Sequence, residues 1–253
     1  MIKFFRKIRQ RLLTENKFNK YLLYAIGEVI LVVIGIMIAL QVNNWNQDRI
    51  SNSFENSYLL RLKSEITSDT TLFKSQIVIN QEKNNKIQRF TNLLNSENSI
   101  SLELVDATEK YFENAWYIPL FNPTMATFED LSSSGKLEVI SNVSLRIKII
   151  DLYTAYILWK EGLASNNNWG LDMDVHLNKS TDGMKWDKRT VSLFTTHELE
   201  EEARILRLNK DYYIRNAAVH YWINDYFIEV LESIIQQEIE VLNEIEKELQ
   251  IYN

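Results

Sequence analysis

The residues best placed to do chemistry in this sequence are Asp172, Asp174 and His176, in the run Asp172-Met-Asp174-Val-His176. On a helix, Asp172 and His176 fall one turn apart; on an extended segment all three share a face. Either arrangement offers oxygen and nitrogen ligands to a metal, and through it a metal-dependent hydrolase. Two acids near one histidine are also what chance supplies in an acidic chain, and further ligands have to come from elsewhere. An exposed polar segment is the simpler reading. The other histidines, His197 and His220, are well separated in sequence, and none of the three lies in an HExxH pattern.

Other reaction chemistries lack their residues. Neither GxxxxGK[ST] nor GxGxxG occurs, so no glycine-rich phosphate loop is expected. Ser132-Ser-Ser-Gly135 lacks the first glycine of a nucleophile elbow and reads better as a helix end. Cysteine is absent, which excludes disulfides, thiolate metal sites and thiol nucleophiles. The expectation is a protein that is not an enzyme and holds no cofactor.

Contact offers a second kind of site. Trp116, Tyr117, Phe121 and Phe128 surround Pro119 and Pro123, the only two prolines. Aromatic side chains on a loop stiffened by proline suit a small ligand or a peptide, the sensor-like alternative. Rings that fill the end of a helical bundle are the plainer reading.

The elements that carry these residues begin with an apolar stretch, residues 21–42, YLLYAIGEVILVVIGIMIALQV. At about 1.5 Å per residue its 22 residues cover roughly 33 Å, the thickness of bilayer hydrocarbon. Residues 1–20 hold seven basic side chains and one acid, leaving 21 basic and 33 acidic side chains on the other 233 residues. That asymmetry predicts a cytoplasmic amino terminus and export of everything after the span. The basic lead, with Ile2, Phe5, Ile8 and Leu12 at helical spacing, suits an amphipathic segment on anionic lipid, or a tail that only orients the span. Nucleic acid is not an expected partner. The apolar run exceeds a signal-peptide core and no A-x-A-like site follows, so a retained anchor is expected.

Within the span Tyr24, Glu28, Gly35 and Ala39 fall on one side of the helix. Gly35 and Ala39 form a small-xxx-small pair that admits a close neighbour, and burial against that neighbour lowers the cost of Glu28 in the membrane. This face predicts self-association or pairing with another membrane protein. The alternatives are a Glu28 that reaches back to the interface and, less simply, a proton relay.

Beyond the span the chain reads as helical. With six glycines and two prolines it is poor in turn formers. Leu59, Leu62, Ile66, Phe73 and Ile77 keep helical spacing, resumed by Ile87, Phe90 and Leu94, with interruptions expected at 51–57 and 95–101. A second helix is expected over about 102–115. Thr124 or Thr127 is placed to cap a short helix that ends at Gly135. Asn142 is placed to cap another over about 143–163, with a loop at 165–170. Residues 171–193 show no clear period.

The strongest pattern outside the membrane is Ile214, Ala217, Tyr221, Asn224, Ile228, Leu231, Ile235, Glu238, Leu242, Ile245, Leu249 and Tyr252, in alternating steps of three and four. Ile234, Ile239 and Val241 are expected to widen that stripe into a bundle face. No second apolar run reaches 18 residues, so one span is expected.

The opening MIKFFRKIRQRLLTENKFNKYLLYAIGEVILVVIGIMIALQVNNWN closely resembles a family of uncharacterised bacterial membrane proteins known mainly from Bacteroidota. TFEDLSSSGKLEVISN, residues 127–142, is similar to a second stretch of that family. The resemblance implies an inner-membrane location and periplasmic placement, and supplies no catalytic residues. The combined expectation is all-α: a basic cytoplasmic segment (1–20), one transmembrane helix (21–42) and a periplasmic helical bundle (43–253) with a long carboxyl-terminal helix. Its expected role is an interaction or scaffold subunit that meets the lipid bilayer and a second copy or another membrane protein.

Overall fold

The computed structural model describes residues 18–251. The basic segment across 2–13 and Tyr252 lie outside the described residues, as do the side chains of Tyr21 and Tyr24. Among the described residues the chain forms six α-helices and no strand. They are α1 (Phe18–Asn95), α2 (Ser101–Lys110), α3 (Ala126–Ser133), α4 (Val143–Ser180), α5 (Leu199–Leu208) and α6 (Lys210–Ile251). The all-α expectation and the long closing helix hold. The chain divides into two compact units, Met1–Asn56 and Ser57–Asn253.

The first unit carries the apolar part of α1. This is the one helix, among the described residues, long and apolar enough to cross a membrane, and none of its most apolar window is buried.

The second unit packs around two apolar clusters. In one, Leu59, Leu62, Ile66 and Phe73 of α1 meet Leu145, Ile149, Leu152, Tyr153 and Tyr156 of α4 and the far half of α6. In the other, Ile87, Phe90 and Leu94 of α1 meet Leu104 and Ala107 of α2, Leu206 of α5, and Tyr213 and Ala217 of α6. The heptad stripe of α6 explains how one helix serves both. Ala217, Asn224, Leu231, Glu238 and Ile245, seven residues apart, are each at most 1% exposed. Ile234 and Val241 are buried too, but Ile239 points outward at 37% exposure and does not widen the stripe.

Several boundaries differ from expectation. The helix α1 is unbroken through 51–57, where Ser and Asn cost only a few tenths of a kcal/mol each, roughly, in helix propensity. Its break comes after Asn95, as expected. The second helix ends at Lys110 and continues as a wider π-turn, Tyr111–Ala115. That turn buries Tyr111 and Phe112 side by side, Tyr111 stacked on Phe90 at 4.9 Å.

The largest correction is α4, which runs through the expected loop at 165–170 as far as Ser180. Gly170 supplies the reason. A Cβ there would lie 2.8 Å from the Ile223 side chain and 3.0 Å from that of Ile118, so the glycine lets α4 press against α6. Tertiary contact keeps helical a stretch whose composition suggests a loop. Beyond it, residues 181–198 hold two short 3₁₀ turns, Gly183–Trp186 and Val191–Leu193.

The turn signals are mostly as expected. Gly135 takes φ 67°, with Lys136 N–H donating to Leu131 C=O at 2.8 Å and Gly135 N–H to Ser132 C=O at 3.2 Å, a left-handed helix stop. Asn142 caps α4 by accepting from Leu145 N–H, and its amide donates to Glu248 of α6. Neither Thr124 nor Thr127 caps α3, because Met125 holds that position. Two carboxylates from α1 reach across instead. Asp69 accepts both the N–H and the hydroxyl of Thr124, at 2.7 and 2.8 Å. Glu65 accepts both from Thr127, at 3.2 and 2.6 Å.

Candidate functional site

The run Asp172 to His176 lies on α4 and is split by the helix. Asp172 and His176 are exposed, whereas Asp174 turns towards α6. One oxygen of Asp174 accepts from Asn216 Nδ2 at 2.8 Å and lies 2.7 Å from His220 Nε2. Asn216 in turn accepts from the Tyr111 hydroxyl at 2.6 Å. Burial, with Asp174 nearby, pushes the Tyr111 phenol well above its ordinary value. The Asp–His geometry resembles half of an acid–base couple, but His220 is sealed in the core at 1% exposure. The arrangement ties the π-turn after α2 to α4 and α6. Among the described residues no three His, Asp or Glu side chains converge as metal ligands.

A second buried carboxylate sits in the other cluster. Glu238 Oε1 lies 2.6 Å from the Tyr156 hydroxyl and Oε2 lies 2.7 Å from that of Thr70. Thr70 Oγ1 is also 2.8 Å from the Ile66 carbonyl. Thr70 has one proton, which cannot serve both acceptors fully. A protonated Glu238 resolves the chain: its own O–H donates to Thr70, Thr70 donates to Ile66, and Tyr156 donates to the remaining oxygen. Burial pushes the Glu238 carboxyl up to about 7, against the lowering effect of those hydroxyls.

The aromatic cluster near the prolines divides as well. Phe121 is buried, 5.3 Å from Phe73, and Phe128 stacks on Tyr153 at 4.4 Å, so both rings serve the core. Trp116 is half-buried against Phe112. Tyr117 alone of the four is exposed, its hydroxyl accepting from Arg189 at 2.6 Å. Arg189 also bonds Asp187, whose carboxyl it pulls down to about 2. In the span, Glu28 is half-buried, Ala39 is exposed, and no side chain stands within 4 Å of where a Gly35 Cβ would be.

A surface that sequence reasoning missed runs along α4 and α6. Trp159, Tyr226, Trp222 and Trp169 form a ladder with centroids 6.2, 5.2 and 5.5 Å apart. Trp159 and Tyr226 root it in the core, while Trp169 and Trp222 are 46% and 44% exposed. Ending α4 near residue 163 hid it, because Trp169 then left the helix. The i,i+4 pair Trp222 and Tyr226, lying off the α6 stripe, was the available signal.

Fold and site together define a chain that is all-helical among the described residues, with one candidate membrane span. The chain belongs to the Family of unknown function (DUF6090), which it matches over residues 28–207. That match covers most of the apolar segment and runs to the last turns of α5. No curated protein and no solved structure matches the chain.

Proposed function

We propose that this protein is a membrane-anchored interaction subunit without catalytic activity. Residues 21–42 hold it in the inner membrane with the basic end in the cytoplasm, and the helical unit stands in the periplasm. The basic-before-apolar order supports this orientation. The observation that carries the interaction role is the aromatic ladder. Two exposed tryptophans rooted in the core make a rigid apolar contact surface of the kind that dominates protein interfaces. The occupant is a second copy of the chain or another membrane protein, with the Glu28, Gly35 and Ala39 side of the span as a further contact.

The test is cross-linking in native membranes, followed by extraction in mild detergent. The wild-type chain is expected as a homo-oligomer or with one stoichiometric membrane protein. Trp169→Ala with Trp222→Ala should weaken that complex about thirtyfold or more, as for loss of one hot-spot residue. Gly35→Ile should disperse what remains. A wild-type chain that is monomeric under both treatments would falsify the reading, as would a complex indifferent to all three substitutions. A reporter fused after Asn253 should be active only in the periplasm.

A further inference from the structure

A cleft of ≈ 580 Å³ opens between α2, the Lys185–Trp186 turn and the start of α5. It falls in the size range of small-molecule sites and shares no lining residue with the ladder. Its lining contains an ion pair that folding alone does not favour: Lys185 and Glu202, each under 10% exposed, bonded to one another. A buried pair of this kind often contributes less stability than apolar residues of the same size. Glu202 Oε1 also accepts from His197 N–H at 2.8 Å, while its buried Oε2 has no hydrogen-bond donor.

The charges of the residues that line the cleft do not balance. Asp106, Glu109 and Glu113 rise along one side of α2 and its π-turn, within about 60° of each other. Lys110 and Arg89 both bond Asp106, leaving Glu109 and Glu113 with no ion pair among the described residues. Burial and the neighbouring Asp106 raise the Glu109 carboxyl, with Lys110 pulling the other way. Within the lining itself four carboxylates (Asp106, Glu109, Glu113 and Glu202) stand against three lysines (Lys110, Lys185 and Lys188), a surplus of one negative charge before Arg89, which bonds Asp106 from outside the lining, is counted. Trp186 adds an indole, anchored by Nε1–H donating to the Tyr213 hydroxyl at 3.3 Å, and Val105 and Leu199 add apolar surface.

We propose that this cleft is a binding site for a small organic cation, an ammonium or guanidinium group on an apolar body. The apolar body lies against Trp186, Val105 and Leu199. The cationic head meets Glu109 and Glu113 and gains attraction from the indole. This site is independent of the interaction reading and stands or falls separately from it.

The test uses the full chain in detergent micelles with three matched probes: phenethylammonium, neutral 2-phenylethanol and anionic 3-phenylpropionate. Titration calorimetry and tryptophan emission should report saturable binding of the ammonium, about tenfold or more tighter than the other two. Glu109→Gln with Glu113→Gln, both on exposed positions, should weaken the ammonium about tenfold while leaving the thermal melt unchanged. Equal binding of all three probes, tighter binding of the anion, or no binding of any up to solubility overturns the proposal. So does a double variant that binds the ammonium as the wild type does.

Discussion

Glu238, buried, and Asp174, half-buried, are two carboxylates set between helices of the same unit, and they are held in opposite ways. Asp174 meets an amide N–H and an imidazole, both from α6, and its side chain keeps 16% of its surface in contact with solvent. Glu238 is fully buried, meets two hydroxyls and no bonded cation, and has the acid Asp69 close enough to raise it further. The same functional group is thus supported as a hydrogen-bond acceptor in one cluster and as a neutral acid in the other. Surroundings, rather than residue type, decide how an acid between packed helices is held.

The comparison is broken most sharply by replacing each acid in turn. Because the folded-state value of Glu238 lies above that of the unfolded chain, its stabilising effect is complete below about pH 4.5 and lost as pH rises through about 7. Glu238→Gln imitates the protonated acid. It should leave stability near pH 5 almost unchanged and raise it at pH 8 by about 3 kcal/mol, read by denaturant unfolding of the full chain in detergent. Asp174→Ala at pH 8 should go the other way, costing about 2 kcal/mol as Asn216 and His220 lose their shared acceptor. If both variants shift in the same direction, the contrast between the clusters is wrong.

A smaller change sharpens the Glu238 side. Thr124→Val removes the hydroxyl held by Asp69 and should cost about 1 kcal/mol. Burial also raises Asp69, so in the variant its weakened hydrogen bonding should steepen the loss of stability as pH rises through its titration. An unchanged unfolding profile between pH 5 and 8 would separate Asp69 from the Glu238 cluster.

How much of this is legible in sequence depends on the range of the interaction. The stripe on α6, the Gly135 stop and the Asn142 cap are local patterns, and each stands where its residues indicate. Glu238 is visible as an acid at a core position of the heptad, but its proton depends on Tyr156 and Thr70, 82 and 168 residues away. The full length of α4 is hidden because Ser165-Asn-Asn-Asn168 has loop composition, and Ile223 and Ile118 alone explain why Gly170 stays helical. The break between α5 and α6 at Asn209 involves neither glycine nor proline. Of the aromatic candidates, Phe121 and Phe128 belong to the core, and the exposed ladder lies on helices whose extent was misjudged.

The cross-helix carboxylates at the start of α3 carry one more consequence. Eight residues are too few to persist as a helix in water, and α3 has no side-chain cap of its own. The Thr127 N–H in its first turn and the Thr124 N–H just ahead of it find acceptors only once Glu65 and Asp69 arrive from a segment more than fifty positions upstream. The Thr124 to Gly135 stretch therefore takes shape when the bundle assembles, and slow amide exchange there reports docking of the whole unit rather than winding of a single turn.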